Sequence, residues 1–174
     1  MSRQADKRPI IVAVDGSPSS IEALRKASEL ARALDAPLEA VTAWQFPMGF
    51  DGAGYATQTW SPEAESQTLL NSAIETAFPD GPPADLRLTV TAGPAAGVLI
   101  DKSNDAAMLV MGSRGRGGFA GLLLGSVSTA CAQHAHCPVL IMRGPERPSK
   151  KTKKTKKTKK TKNRGAVEDL QPTV

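Results

Sequence analysis

Aromatic residues make up only 4% of this 174-residue chain, which also has just two cysteines and two histidines. So few cysteines cannot staple a small secreted scaffold, which needs several bridges to replace a missing core. No stretch approaches the about 20 consecutive apolar residues that a membrane-crossing helix requires. The opening MSRQADKRPIIVAVDGS is charged and then offers one short apolar run, with no small-residue cleavage site, so no signal peptide is expected. The expected setting is soluble, reducing and cytoplasmic, with no transmembrane segment.

Basic charge is also scarce over most of the chain. The net charge is +5, yet residues 1–142 hold 10 Lys and Arg against 14 Asp and Glu, while residues 143–174 hold 12 against 3. The basic character is therefore a property of the tail and says nothing about partners of the rest. A hydrophobic content of 40% supports one domain with its own core.

Short apolar runs alternate with helical periodicity. Residues 9–15 (PIIVAVD) read as a buried parallel strand closed by Gly16, Ser17 and Pro18. Ser17 before Pro18 marks a helix start, and Ile21, Leu24, Ala27, Leu30, Ala31 and Leu34 recur at helical spacing. Residues 37–44 form a second strand and 45–60 a long loop. A second helix runs from Ser61 and Pro62 to about Phe78. Its capping box is off by one, because Ala64 rather than Glu65 falls three residues after Ser61. Strands at 85–91, 106–111 and 138–143 and helices at 94–102 and 126–135 complete a β-α-β-α-β-α-β-α-β order. The alternation predicts an α/β fold, a doubly wound five-stranded parallel sheet over residues 9–143, with ligands beyond the carboxyl ends of the strands. Residues 1–8 are an N-terminal extension. Residues 144–174 form a Lys-rich tail built on a K-K-T repeat, without a core to bury and expected to be disordered when free.

The chemistry concentrates in MGSRGRGGFAGLLLGSV, residues 111–127, after a buried strand and before a helix. Glycines let backbone amides approach an anion, and the helix start adds unpaired N–H groups, so the segment suits a phosphate cradle. Gly125 with Ser126 would supply the cap and a hydroxyl, and Arg114 and Arg116 add guanidinium charge. Neither G-x-G-x-x-G at the first strand nor a P-loop is present.

Gly112, two residues, Gly115, nine residues and then Gly125-Ser126, with IIVAVDGSPSS at the start and HCPVLIMR at the end, resembles the universal stress protein family in its ATP-binding subgroup. The resemblance spans roughly residues 9–143 and implies a Rossmann-like, adenine nucleotide alpha hydrolase-like fold. It implies adenine and ribose near the ends of strands one and two, and phosphates on the glycine loop. By position it implicates Asp15, Gly16, Ser17, Ala43, Gly93, Val110, Gly112, Ser113, Arg114, Gly115, Gly125, Ser126 and Val127. Ala43 departs from the larger aliphatic usual there. The ligand so implied is ATP, with Mg²⁺ as a bridging ion for which Asp15 and Ser126 are candidate contributors. The implied role is a stress-response regulator without efficient turnover, acting as a homodimer in which the edge strand Val139–Met142 is covered. The alternatives are a slow ATPase or phosphotransferase and a nucleic-acid-associated protein.

Two other clusters carry less. Cys131, His134, His136 and Cys137 lie close in sequence, but the helix-to-strand turn separates them and no second ligand pair occurs, so neither zinc nor a catalytic set is expected. Nine lysines within residues 150–162, without interleaved aromatics, suit sequence-independent contact with nucleic-acid phosphates; a solubilising tail and an anionic membrane contact are the other readings. If nucleic acid is the partner, affinity of the full chain for duplex DNA should fall by roughly 10³-fold or more between about 50 and 200 mM salt. Fluorescence anisotropy reads this directly. Binding that survives replacement of the tail lysines by glutamine would assign the tail to solubility.

Overall fold

The computed structural model describes residues 7–46, 61–117 and 123–144. The expected N-terminal extension falls mostly outside these residues, as do most of the 45–60 loop, the stretch 118–122 of the glycine loop and the Lys-rich tail. The chain runs β1 (Ile10–Ala13), α1 (Pro18–Leu34), β2 (Leu38–Trp44), α2 (Pro62–Ala77), β3 (Arg87–Ala92), α3 (Ala95–Lys102), a 3-10 turn (Ser103–Asp105), β4 (Met108–Gly112), α4 (Ser126–His134) and β5 (Val139–Met142). All strand pairs are parallel, in the order β3-β2-β1-β4-β5. The doubly wound sheet expected from the alternation is therefore the observed architecture.

Helices cover both faces, which is why the central strands are continuous apolar runs rather than alternating ones. Ile10, Val12, Leu38, Ala40 and Val110 pack under α1 and α2. Ile11, Val41, Leu109 and Met111 face the other way, against Leu99 of α3 and Cys131 of α4. Period-two geometry alone assigns these sides.

The helix ends follow local chemistry. The Ser17 hydroxyl accepts from the Ser20 amide, and Pro18 occupies the first helical turn. At the other end Asp35 takes the left-handed conformation, φ 50°, and Ala36 N–H donates to Ala31 C=O at 2.9 Å. Ser61 caps α2 through the Ala64 amide, a plain N-cap in place of the box. The sheet order leaves β3 and β5 as the two edges.

From β1 the chain moves outward to β2 and β3 and then returns through α3 to β4 on β1's other side. The reversal opens a crevice above β1 at the carboxyl ends of the strands. The opposite end of the sheet is closed by a buried charge. Glu39 of β2 is only 6% exposed, and its Oε1 accepts from Lys102 Nζ at 2.7 Å and Thr89 Oγ1 at 2.8 Å. Burial by itself would raise this carboxyl, but the two hydrogen bonds and the Lys102 charge outweigh it and hold it below its ordinary 4.5.

A lowered folded-state pKa stabilises the protein above the ordinary value, and that stability is lost as pH falls through the folded one. Glu39→Gln should therefore cost about 1–3 kcal/mol at neutral pH. The gap between wild type and variant should close as pH drops below 4.5, read by chemical denaturation across the acid range. A pH-independent gap would show that the charge of Glu39 is not what matters.

Candidate functional site

The crevice is a cleft of about 730 Å³ at the carboxyl ends of β1, β2 and β4. One part of its wall is apolar: Ala13, Val41, Ala43, Leu99, Met111 and Val127. The other is the β4 loop and the start of α4, with Gly112, Arg114, Gly115, Arg116, Gly117, Gly125 and Ser126. Flat apolar surface beside a glycine-lined, cationic rim suits a ligand with an aromatic body and an anionic end.

The loop is held at successive residues. Ser113 N–H donates to Met142 C=O at 2.7 Å, and Ser113 C=O accepts from Gly125 N–H at 2.8 Å and from Ser128 Oγ at 3.0 Å. Arg114 C=O accepts the Ser19 hydroxyl at 2.6 Å and the Ser17 hydroxyl at 3.3 Å. Asp15 works as a bracket: Oδ1 accepts Ser17 N–H at 3.0 Å and Oδ2 accepts Arg116 N–H at 3.2 Å. The β1–α1 turn and the β4 loop are thus one unit.

Two glycines are required by this closeness. A Cβ on Gly112 would be driven into the Ser19 hydroxyl and stand 3.0 Å from the Ser19 carbonyl carbon, and one on Gly115 would stand 2.6 Å from Asp15 Oδ2. Gly125 differs, since its nearest neighbours lie at 3.6 Å or more.

Eight of the residues expected from the sequence line the cleft: Asp15, Ala43, Gly112, Arg114, Gly115, Gly125, Ser126 and Val127. Five sit off its wall. Val110 is fully buried toward α1 and α2, because strand alternation turns it away and presents Met111 instead. Ser17 is spent as the α1 cap, and Ser113 is the buried strut of the loop. Gly16, at φ 73°, lies on the α1–α2 side beneath Arg116, and Gly93 ends β3 at φ 132° against Val98. Gly125 is the N-cap of α4, without a side-chain cap, and Ser126 with its hydroxyl holds the first helical position, the expected arrangement of the pair.

Several walls were missed. Ala13, Val41 and Met111 share the parity of Ala43 and could have been read from strand alternation; Thr42 has the opposite parity and could not, and its hydroxyl donates to Val14 C=O at 2.9 Å. Ser66 and Leu69 come from α2, and Ala95 and Leu99 from α3. Helical spacing does not tell which end of a helix reaches a cleft.

Among the described residues, the titratable ones lining the cleft are Asp15, Arg114 and Arg116. His134 ends α4, about 12 Å along the helix axis from its start. Cys131 is buried in the core, and burial, with the nearby Cys137, pushes its thiol up, away from the thiolate that metal binding needs. Among the described residues no three His, Cys, Asp or Glu side chains form a group that could hold a metal ion. No helix among them is long and apolar enough to cross a membrane.

Residues 7–143 match the family model described as the Universal stress protein family. Universal stress protein Rv2005c of Mycobacterium tuberculosis is 37% identical over 136 residues, covering 78% of this chain and 45% of the relative. The chain thus spans about half the length of the curated relatives it matches. Among solved structures, a universal stress protein in complex with cAMP aligns with a TM-score of 0.60 at 25% identity, covering 81% of this chain and all of the other. One from Archaeoglobus fulgidus aligns with a TM-score of 0.58 at 26% identity, covering 77% of this chain and 97% of the other.

The close approach at Gly112 gives a stability test of the loop. Gly112→Ala should cost about 1–3 kcal/mol through forced displacement of Ser19, whereas Gly125→Ser, an open position at a helix cap, should leave stability unchanged or raise it. Thermal melts of the two variants should separate clearly. Equal melting temperatures would mean that the loop does not press on α1.

Proposed function

The chain belongs to the universal stress protein family, and from that premise we propose that it binds an adenine nucleotide in the cleft above β1 and acts as a nucleotide-dependent regulator rather than a turnover enzyme. The observation that carries this reading is the pairing of an apolar wall with a glycine-lined, arginine-bearing rim in one cleft at the strand reversal. A relative with the same fold is described in complex with cAMP, a ligand of the same chemistry.

In this reading the base lies on Ala13, Val41, Ala43 and Met111, where small and flexible side chains leave room for a planar ring. The first phosphate lies against the glycine loop, with Ser126 and the Arg114 guanidinium as donors. ATP is the ligand we favour. Mg²⁺ would bridge its phosphates while keeping most of its waters, with Asp15 as the cleft's own carboxylate and Ser126 as a hydroxyl donor. Turnover is not part of the proposal. A hydroxyl nucleophile needs a neighbouring base, and neither the histidines nor the cysteines line the cleft.

Calorimetric titration of AMP and ATP into the full chain, beside Ala43→Trp, is the direct test. The wild type should bind both. The variant, which fills the apolar end of the cleft without touching the glycine loop, should lose about tenfold or more in affinity for both nucleotides while keeping its melting temperature within a few degrees. A wild-type chain that binds neither nucleotide would sink the reading.

A further inference from the structure

Between α1 and α2 runs a second cavity, a groove of about 770 Å³ open to solvent. Ile21 of α1 and Leu69 and Ala73 of α2 give it apolar surface, and Glu65, Thr68, Ser72 and Thr76 give the α2 side its polar groups. Residues 61–86 carry Glu63, Glu65, Glu75, Asp80 and Asp85 and no Lys, Arg or His. All five carboxylates are exposed, and none takes part in an ion pair among the described residues. Glu65 lines the groove, and Glu75, three residues from Ser72, neighbours it on the helix surface. On the α1 side charge is already matched. Arg25 Nη1 donates to Glu22 at 2.5 Å, while its Nη2 and Nε donate to the carbonyls of Thr76 at 3.0 Å and Ala77 at 3.3 Å. Arg116 stands where the groove meets the nucleotide cleft, since it lines both.

The chain carries the complementary charge itself. Its described part ends at Gly144, where an added Cβ would stand 3.2 Å from the Ser19 amide nitrogen, so the polypeptide leaves the domain against the first turn of α1. Pro18, the next residue of that turn, is already part of the groove. Six residues lead from Gly144 to Lys150, a reach of up to about 20 Å, whereas crossing α1 takes one helix width, about 10 Å. Residues 150–162 then hold nine lysines, against 14 Asp and Glu and 10 Lys and Arg over residues 1–142.

We propose that the α1–α2 groove is the docking surface for the chain's own Lys-rich segment, residues 150–162, seated against Glu65 and Glu75 of α2. Lysine suits this surface in both its parts. The methylene stem lies on Ile21, Leu69 and Ala73, and the ammonium stays in water beside the carboxylates. The tether selects this occupant over a free basic peptide. Exposed ion pairs are individually weak, but a segment joined to the domain beside the groove is presented at an effective concentration of about millimolar. Arg116 repels lysines from the cleft end, so the docked segment leaves the nucleotide cleft open. An anionic partner of the tail has to compete with the domain for it.

Zero-length carbodiimide coupling, which joins a carboxylate to an ammonium as an amide with loss of water, reads the contact in the full chain. Lysines of residues 150–162 should couple to Glu65 and Glu75 at least about fivefold more than to Asp101 and Asp105, within single chains and at a yield independent of protein concentration. Those two are exposed carboxylates at the end of α3, which packs on the other face of the sheet. Raising salt to about 0.5 M should suppress the coupling. As a second measurement, Glu65→Gln combined with Glu75→Gln should speed tryptic cleavage within residues 150–162 about threefold or more at low salt, with the melting temperature unchanged. Coupling spread evenly over the exposed carboxylates, or a tail cut at one rate in both proteins, overturns the docking. Coupling found only in covalent dimers assigns the groove to the tail of a second copy and overturns the contact within one chain.

Discussion

Ser19 and Gly112 share space that a single extra methyl would fill, and the cleft depends on that contact. The first turn of α1 and the end of β4 come so close that only a hydrogen fits where Gly112 would carry a Cβ. Into that contact the Ser19 hydroxyl delivers its bond to Arg114 C=O. Each hydrogen bond at the junction contributes about 1 kcal/mol, whereas steric exclusion rises far more steeply with displacement. The hydrogen bonds select the orientation of the loop, and the contact fixes its depth. With Ser113 tied to β5 on one side and to α4 on the other, Gly112, Ser113 and Arg114 have little freedom. The loop is a rigid wall of the cleft at the point where it leaves the sheet.

The two ends of the sheet divide the work. At the amino ends of the strands, Glu39 is satisfied by Lys102 and Thr89. A carboxylate taken out of water is tolerable there because its partners are already in place. At the carboxyl ends, surface is left open and the exposed groups are glycine, arginine and serine. Among the described residues no carboxylate lines the cleft except Asp15, and Asp15 is turned inward onto two backbone amides. An anionic ligand therefore meets donors rather than repulsion, although the folded part of the chain is acidic overall.

The order of elements was legible because each carries its own local cause. Pro18 after Ser17 starts α1, and short β-branched runs fit strands buried on both faces. Boundaries moved by a residue or two, as they do wherever hydrogen bonding rather than composition ends an element. The glycine spacing identified most of the loop wall. Val110 lies off the cleft wall because a motif is a string, while a strand presents alternate residues to opposite faces. Met111, its neighbour, carries the position facing the cleft. The contributions of α2 and α3 were not legible at all, since Ser66 and Leu69 reach the cleft only through the packing of α2 over β2 and β3. The tie between Ser19 and Arg114 spans 95 residues. No local pattern records it.

The Asp15 bracket also explains why the glycine-rich segment follows β4 and not β1. In doubly wound folds that place phosphate at the first turn, the amides beyond β1 are left free for the anion, which needs further glycines there. Here the carboxylate of Asp15 already accepts the Ser17 amide at that turn, and its second oxygen takes the Arg116 amide from across the crevice. A phosphate at the same place would compete for those donors and meet a negative charge within a few ångströms, which is unfavourable even with substantial screening. The protein's own anion has occupied the first turn. What remains for an external one is the β4 loop, where Gly112 packs closely against α1 and Gly115 against Asp15, and whose arginines have no carboxylate partner among the described residues.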